Sequence, residues 1–597
     1  MVIQFMKSLF NNTKSGGVNM GQISLVINDR NIVAAEGKTI LQVCKENDIF
    51  VPTFCNHPKL KPLERCGCCV VELAEHHEPV KACGTVIKNG MKISTESTKA
   101  VSARIAAINK MLGNHPNDCL TCAKTGGNCL LQEVSHLYDV DTELRVIKNR
   151  GLDDSSPAMI RDLDKCVDCG RCVEVCETIQ RIGCYEHVYP EDDHYVTTKG
   201  GFKLSETDCI NCGQCVKVCP VAALQEKDAV HDVLAALADP SKKVIFQMAP
   251  AIHNTAGEEF GLPEGADVTR MLATGLRKMG ATVFTTDYTA DVTILEEGTE
   301  FLNRVTKGGV LPMFTSCCPG WIKFIEYNYP KLFPHLSTCK SPQQKFGALL
   351  KTYYAEKQGI DPKDIYHVSI MPCVAKKFES QRPEMNSSGH RDVDAVITTR
   401  ELAKLFNFNN INLAEQKGTD FDKMMGEGTG AARIFAVSGG VMEAALRTAV
   451  MKLTNNEINT IDYVAVRDTP EGDVKEAELD VKGTKVRVAV VNGIGNARKV
   501  LDDVVAKKSP YHFIEFMACP GGCVGGGGSP VKGKVEPRTA GIYDSDVKNP
   551  VRRSHENKEV QELYRDYLGE PCGHKSHDLL HTHYHDRSGE VKYPKSK

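Results

Sequence analysis

The amino-acid sequence predicts a multidomain chain in which small, cysteine-rich α+β modules precede a larger α/β domain. Three observations carry this. The chain has 597 residues, and at about 150 residues per domain that length makes roughly four domains with room for a large core. Its 25 cysteines, set against a single tryptophan, fall mostly in spaced groups ahead of residue 220. From about residue 240, short apolar runs (KKVIFQMAP, ATVFTTD, DVDAVITT, VRVAVVNGI) alternate with helix-like segments such as 269–279.

Composition excludes several classes. Lys+Arg 73 against Asp+Glu 76 leaves a net charge of -3, and no basic block suited to tracking phosphates stands out, so nucleic acid is not an expected partner. The apolar runs fall short of the roughly 18 residues a membrane helix needs. Disulfide frameworks belong to short secreted chains. The opening MVIQFMKSLFNNTKSGG lacks a sufficient apolar stretch and a small-residue cleavage site. GQISLVINDR after Met20 reads as a fresh domain start, so residues 1–20 are expected to be an N-terminal extension or an upstream misassigned start, and the thiols are expected to hold metal.

Residues 21–98 open with ISLVI and NIVAA around Asn28-Asp29-Arg30, a hairpin signal. A helix follows from about Thr39, with Ile40 and Cys44 on one face, so Cys44 reads as a small buried hydrophobe. Cys55, Cys66, Cys69 and Cys83 then give two thiols two residues apart, one upstream and one well downstream. That set suits a 2Fe-2S cluster in a plant-type ferredoxin-like module, though the upstream gap is longer than in those ferredoxins. Cys68 lies between two ligands and is taken as a bystander. Zinc is the competing occupant, but it usually recruits two tight pairs.

Residues 99–138 contain His115, Cys119, Cys122 and Cys129, four soft donors that suit zinc or iron–sulfur. Flanking cluster motifs favour a 4Fe-4S site with one imidazole ligand. The interval from Cys122 to Cys129 is one residue longer than in the related pattern, and Thr125-Gly126-Gly127 could absorb the difference as a looser turn.

Residues 155–225 carry the strongest repeat: Cys166, Cys169, Cys172, Cys176 and then Cys209, Cys212, Cys215, Cys219, both spaced C-x2-C-x2-C-x3-C. In the two-cluster bacterial ferredoxin run the fourth cysteine of each motif serves the other cluster. One 4Fe-4S cluster is thus expected on Cys166, Cys169, Cys172 and Cys219, the other on Cys209, Cys212, Cys215 and Cys176. Glu177 replaces the proline that follows the second run, and Cys184 fits neither run and is assigned to the structure. Four clusters one after another along the chain make a wire for single electrons, and a wire implies a terminus.

In the α/β region, 226–550, sites are expected in loops at the carboxyl ends of strands. The remaining cysteines lie in such loops: TSCCPGW at Cys317 and Cys318, MPCVAKKFE at Cys373, and FMACPGGCVGGGG at Cys519 and Cys523. Flanking glycine and proline let the backbone approach a bulky inorganic ligand. Five thiols leave four for a 4Fe-4S cluster and one aside.

These three motifs, in this order, resemble those of the FeFe hydrogenases, and the resemblance covers the chain from about Met20 onward. It implies an H-cluster: a 4Fe-4S unit joined through a cysteine sulfur to a two-iron subsite with carbon monoxide, cyanide and a bridging amine dithiolate. By the resemblance, Cys318, Cys373, Cys519 and Cys523 ligate the cubane, Cys523 bridges to the diiron unit, and Cys317 exchanges protons with the bridging amine. Glu297, Glu300 and Ser337 continue the proton route, the two glutamates being three apart and so on one helix face. A cysteine suits the first relay step because its reference pKa, near 8.5, is close to working pH. Lys376 takes the place of the lysine that holds a cyanide, whereas a surface position suits Lys377 better. Met371, Gln343, Pro250, Ala251 and Met517 match the rest of the pocket. Two departures are His253, where the family commonly has arginine, and Ser529 in GGGSP, where it commonly has glutamine.

Residues 551–597 resemble the family's small-subunit-like tail. Its His581, His583 and His585, at alternate positions, read as a solvated or packing strand rather than a metal site, and Cys339 and Cys572 are assigned to packing. The implied activity is reversible H2 oxidation and proton reduction, with one 2Fe-2S and three 4Fe-4S clusters feeding the H-cluster. The proton/hydrogen couple, roughly -410 mV at pH 7, nearly matches the roughly -400 mV of plant-type 2Fe-2S centres, so the partner sets the direction. That partner is ferredoxin, or flavin- and NAD(P)-binding iron–sulfur subunits in a hetero-oligomer, possible ground for electron bifurcation. No nucleotide-binding glycine fingerprint is present, so nicotinamide chemistry is expected on another subunit. The absence of a separate C-terminal electron-input domain tips the reading toward the complex. A stand-alone ferredoxin-dependent hydrogenase is the alternative. A non-catalytic electron-transfer subunit does not account for TSCCPGW, and an iron–sulfur assembly relative does not account for Cys317 with Glu297, Glu300 and Ser337. Such oxygen-sensitive thiols suit an anaerobe's cytoplasm.

Overall fold

The computed structural model describes residues 21–76, 78–124, 129–140, 148–190, 193–453, 460–467, 474–481 and 484–593. The expectations for residues 1–20 and for the turn at Thr125-Gly126-Gly127 lie outside these.

The first module is a five-stranded sheet against one short helix. Strands Gln22–Ile27 and Arg30–Ala35 pair antiparallel around Asn28 and Asp29, both at positive φ, the backbone a tight two-residue hairpin requires. Helix Ile40–Glu46 starts on a capping box between Thr39 and Gln42. It buries Cys44, whose thiol burial pushes up to about 11, as expected of a packing residue. The long helix Thr98–Gly113 leads out, capped by the Ser97 hydroxyl.

In the ferredoxin-like module a three-stranded sheet (Leu152–Asp153, Met159–Asp162, Leu224–Glu226) supports two short helices, Arg171–Glu174 and Gln214–Val218. Each follows a glycine in the left-handed region, Gly170 and Gly213, which turns the chain between the second and third cysteine of its motif. Where Glu177 stands in place of proline, the first helix widens into a π-turn, Val175–Ile179.

The α/β region forms two four-stranded sheets. One is wholly parallel, in the order Thr282–Thr285, Lys243–Met248, Ile365–Met371, Ala395–Thr398. The other sets Met313–Phe314, Phe513–Met517 and Thr484–Asn492 parallel and adds Val474–Val481 as an antiparallel edge. The four apolar runs read from the sequence are strands, and the expected helix spans Thr269–Arg277. The 21-residue helix Asp287–Lys307 carries both glutamates of interest.

The tail does not form the alternating strand expected of its histidines. It makes helices Lys558–Leu563 and His574–Leu580, then runs extended, with His581 buried in a bridge to Cys339 while His583 and His585 face solvent. Among the described residues, no helix is long and apolar enough to cross a membrane.

Candidate active site and electron relay

The five motif cysteines of the α/β region stand just beyond the carboxyl ends of parallel strands. Cys317 and Cys318 follow Met313–Phe314, with Cys318 preceding helix Pro319–Asn328, Cys373 follows Ile365–Met371, and Cys519 and Cys523 follow Phe513–Met517. Cys318, Cys373, Cys519 and Cys523 lie within electrostatic reach of one another. Burial, and then the charge of the neighbouring thiolates, pushes Cys519 up to about 11, Cys523 up to about 12 and Cys373 well above the ordinary range. Four thiolates in one dry pocket repel. A multi-iron cluster supplies the positive charge that keeps such a set deprotonated, so this donor set fits a cubane.

Lys376 Nζ donates to the Cys317 carbonyl at 3.1 Å and to Glu379 Oε2 at 2.7 Å. Burial alone would lower its pKa, but the Glu379 carboxylate outweighs burial and the ammonium is held. Gln343 is fixed from three sides: its amide donates to Glu379 Oε2 at 3.2 Å and to the Lys376 carbonyl at 3.3 Å, and its oxygen accepts from Ser369 at 2.9 Å. Met371 and Met517 are buried at the ends of their strands, and Pro250 and Ala251 are buried in the helical turn Pro250–Asn254 that follows strand Lys243–Met248. Lys377 corrects the sequence reading. It is buried, donating to the Val396 carbonyl and to Glu401 Oε1 at 2.8 Å, because helix Thr399–Phe408 brings a carboxylate beneath it. His253 bonds Thr285 Oγ1 at 3.3 Å beside Asp287, and burial followed by the Arg433 charge lowers its pKa. Arg433 pairs with Asp287 at 3.0 Å, so a guanidinium still faces this corner. Ser529 is buried, its hydroxyl donating to the Cys523 carbonyl at 3.4 Å.

From the pocket a line of polar side chains runs outward. Burial, then the neighbouring Glu297 charge, drives the Cys317 thiol far up. Burial likewise pushes Glu297 up to about 7, and neither of its oxygens has a hydrogen-bond partner; the Ser337 hydroxyl and the Ser316 N–H approach without completing a bond. Ser337 Oγ donates to Glu300 Oε2 at 2.8 Å, and Glu300 pairs at 2.6 Å with Arg304. Glu297 and Glu300 lie on one helix, as their spacing predicts. Arg304 was not singled out, although a glutamate four residues before an arginine is a readable pair. Glu515, also missed, is a second buried carboxylate pushed up to about 7 by burial, held by the N–H groups of Gly439 and Met442 at 2.7 Å.

The relay cysteines gather as their spacing predicts. One cavity is lined by Cys166, Cys169, Cys172 and Cys219, and a second by Cys176, Cys209, Cys212 and Cys215, the crossed sets of a two-cluster ferredoxin. Cys184 also lines the second cavity, its sulfur 3.5 Å from Cys176 Sγ, so it is a fifth thiol at that site rather than a remote packing residue. Cys55 and Cys66 sulfurs are 3.5 Å apart, with Cys83 a near neighbour of both Cys55 and Cys69. Cys68 Sγ turns to the Cys66 carbonyl. His115 Nδ1 bonds the Pro116 carbonyl at 3.0 Å, which places the lone pair on Nε2, as an imidazole ligand needs. Cys122 and Cys129 are electrostatic neighbours, and Cys119 is exposed beside Leu120.

The sites are not strung end to end. Arg65 of the first module pairs with Asp168 at 2.7 Å, and Arg171 reaches the Asn56 carbonyl at 2.6 Å. From the His115 segment, Asp118 pairs with Lys165 at 2.7 Å, Lys124 Nζ bonds the Cys219 carbonyl at 2.9 Å, and Leu130 N–H bonds the Pro220 carbonyl at 3.0 Å. Both arms therefore converge on the Cys166/Cys169/Cys172/Cys219 cavity. On the far side Gln214 Nε2 bonds the Gly525 carbonyl at 3.0 Å, and Cys212 and Cys519 are electrostatic neighbours, so the second cavity abuts the pocket of Cys318, Cys373, Cys519 and Cys523.

Comparison with known proteins agrees with this geometry. Residues 242–527 match the family model for the iron only hydrogenase large subunit, C-terminal domain, and 532–587 that for the iron hydrogenase small subunit. Residues 21–98 match a 2Fe-2S iron-sulfur cluster binding domain, 104–143 an NADH-ubiquinone oxidoreductase-G iron-sulfur binding region, and 165–223 a 4Fe-4S dicluster domain. The chain is 42% identical to the NADP-reducing hydrogenase subunit HndD of Solidesulfovibrio fructosivorans, over 95% of this chain and 100% of that one. It is 39% identical to iron hydrogenase 1 of Clostridium pasteurianum, over 94% and 99%. The chain belongs to the FeFe hydrogenase family. A solved structure of the hydrogenase HydA1 from Chlamydomonas reinhardtii superposes with a TM-score of 0.54 at 42% identity, covering 60% of this hydrogenase and 99% of that chain. The hydrogenase is thus an oxidoreductase acting on H2, with domains for a 2Fe-2S cluster, 4Fe-4S clusters and an H-cluster.

Proposed function

We propose that this hydrogenase interconverts H2 with protons and electrons reversibly, using Cys317, Glu297, Ser337 and Glu300 as its proton line. The observation that carries this is the line itself: it leads from the cysteine pocket to the Glu300–Arg304 pair at the protein's edge. When bound, the H-cluster supplies the redox chemistry that makes and splits the H–H bond. Cys318, Cys373, Cys519 and Cys523 would hold its cubane, with Cys523 also serving the diiron subsite. The Lys376 ammonium offers donors to a cyanide, and Met371, Gln343, Met517, Pro250 and Ala251 keep water from the pocket. Cys317 gives its thiol proton to Glu297 and takes one in return. A carboxylate poised near 7 can accept and release a proton at neutral pH. The Ser337 hydroxyl passes that proton to Glu300.

Four sites would hold the clusters that carry electrons to and from the H-cluster: the 2Fe-2S set (Cys55, Cys66, Cys69, Cys83), the His115 set (Cys119, Cys122, Cys129) and the two crossed ferredoxin sets. Their external partner is a flavin- and NAD(P)-binding subunit in a hetero-oligomer, with ferredoxin as second donor or acceptor and bifurcation between them. This reading is supported by the 42% identity, over its whole length, with a subunit named for NADP reduction. Such a complex belongs in the cytoplasm. The stand-alone ferredoxin-dependent enzyme is the alternative.

Anaerobic maturation with the diiron cofactor, followed by hydrogen-evolution assays with reduced ferredoxin, NADH or both, tests the proposal. Silence with every donor despite infrared bands from bound carbonyl and cyanide sinks the proton line. Activity with ferredoxin alone selects the stand-alone enzyme, and a requirement for both donors selects bifurcation.

A further inference from the structure

Cys184 belongs to neither ferredoxin motif, yet the chain folds so as to press it against a cysteine that does. After Cys176 the π-turn Val175–Ile179 ends at Gln180, and Arg181 and Gly183, both at positive φ, turn the backbone around. The N–H groups of Ile182 and Gly183 then donate to the Cys176 carbonyl at 2.9 and 3.1 Å, which closes the loop. Cys184 Sγ is left 3.5 Å from Cys176 Sγ, with Cys209 a second near neighbour. Two more side chains meet the same cavity. Tyr185 Oη is 3.5 Å from Cys215 Sγ. Gln180 is 1% exposed and stands beside Cys212, and among the described residues neither end of its amide has a hydrogen-bond partner. A buried amide left so costs about 1–3 kcal/mol unless something in the cavity accepts from it.

We propose that Cys184, Gln180 and Tyr185 donate to the sulfurs of the cluster on Cys176, Cys209, Cys212 and Cys215, and that Cys184 and Gln180 thereby raise its reduction potential. The inference rests on those four cysteines being the ligands. A ligating cysteine is a thiolate, so the hydrogen in the Cys184–Cys176 contact sits on Cys184, and that in the Tyr185–Cys215 contact sits on the tyrosine. An added electron makes a cluster more negative, so a donor to its sulfurs binds the reduced form more tightly and pulls the potential up. Thiol and amide are neutral, but in a buried site their dipoles are weakly screened. The first cavity is built differently, with Cys166 Sγ accepting from the Val196 backbone N–H at 3.3 Å. Tyr185 lines both cavities, whereas Cys184 and Gln180 line the second, so those two residues can set one cluster apart from its twin. The second cavity abuts the pocket of Cys318, Cys373, Cys519 and Cys523, and a raised potential there favours an electron at the relay position next to that pocket.

Anaerobic redox titrations of the matured holoenzyme, followed by electron paramagnetic resonance, compare it with Cys184→Ala, Cys184→Ser and Gln180→Leu. Cys209→Ser marks which reduced-cluster signal belongs to the second cavity. At the potential where that cluster is half reduced in the unaltered enzyme, Cys184→Ala and Gln180→Leu should each lower its ratio of reduced to oxidised form about tenfold, a shift of about 59 mV for one electron. Iron content and the midpoints of the other clusters should hold. Cys184→Ser keeps a donor and should recover most of the shift. A midpoint that stays put in Cys184→Ala, or a serine variant that shifts as far as the alanine one, overturns the role of Cys184. A midpoint that stays put in Gln180→Leu overturns that of Gln180. Loss of that cluster's iron in Cys184→Ala would make Cys184 a ligand and overturns its role as a donor. An unaltered spectrum in Cys209→Ser strikes the ligand set itself, a failure distinct from the others.

Discussion

Gly527 rests directly on the cluster loop of Cys212: a Cβ added to Gly527 would stand 2.2 Å from the Cys212 carbonyl oxygen. The glycine run after Cys523 is the surface on which the ferredoxin-like module seats against the catalytic domain, and it works because it has no side chains. Gly527→Ala must push the two loops apart, at a cost of about 1–3 kcal/mol for overpacking. The expected outcome is slowed H2-driven reduction of the relay clusters, followed by stopped-flow spectroscopy, while exchange between H2 and deuterated water persists at the H-cluster.

Cys317→Ala and Glu297→Gln are each expected to lower hydrogen evolution by about 10²–10⁴, the usual contribution of a positioned proton-transfer group. Infrared bands and iron content should stay as in the unaltered enzyme, because neither side chain is among the four proposed cubane donors. An unchanged rate in Glu297→Gln would falsify its place in the line.

Lys377→Ala leaves Glu401 buried without its cation, since the two side chains are 4% and 0% exposed and paired at 2.8 Å. Breaking such a pair from one side costs about 3–5 kcal/mol. The catalytic domain's thermal transition, followed by near-ultraviolet circular dichroism, should drop accordingly, with a smaller loss in Lys377→Met combined with Glu401→Gln.

Asp291 is pushed up to about 7 by burial, despite bonds from the Thr429 N–H at 3.0 Å, the Thr429 hydroxyl at 2.6 Å and Asn557 at 2.9 Å. Its folded pKa exceeds the unfolded value near 3.9, so the stability it contributes is complete below about pH 4 and is lost as pH rises through about 7. Asp291→Asn should flatten the pH dependence of stability across that window, measured by denaturant unfolding at several pH values. An unaltered slope would assign the dependence to other groups.

Much of the site was legible because cluster ligation is local. Two cysteines within a few residues are placed by one turn, so the spacing of Cys166 to Cys176 and Cys209 to Cys219 already grouped the thiols that line the two cavities, with the fourth of each run in the other's cavity. The strand-end positions of Cys317, Cys373 and Cys519 followed equally from α/β topology. Partners brought from afar were not legible. Lys377 reads as a surface cation until Glu401 is placed beneath it. Cys184 reads as filler until the hairpin Tyr185–Thr198 folds it back against Cys176. His581 meets Thr338 across 243 positions of sequence, a distance over which no periodicity carries information.

On the proposed electron route, the convergence of both N-terminal arms on the Cys166/Cys169/Cys172/Cys219 cavity would make the hydrogenase tolerant of damage in one place and intolerant in another. Oxidative loss of the exposed Cys119 would remove one arm of that route, while the Arg65–Asp168 and Arg171–Asn56 contacts would keep the other in place. The shared cavity has no such duplicate, and its Cys169, Cys172 and Cys219 are buried. The fold thus puts at the surface the thiol whose loss that route would survive, and buries three of the four at the junction it would not.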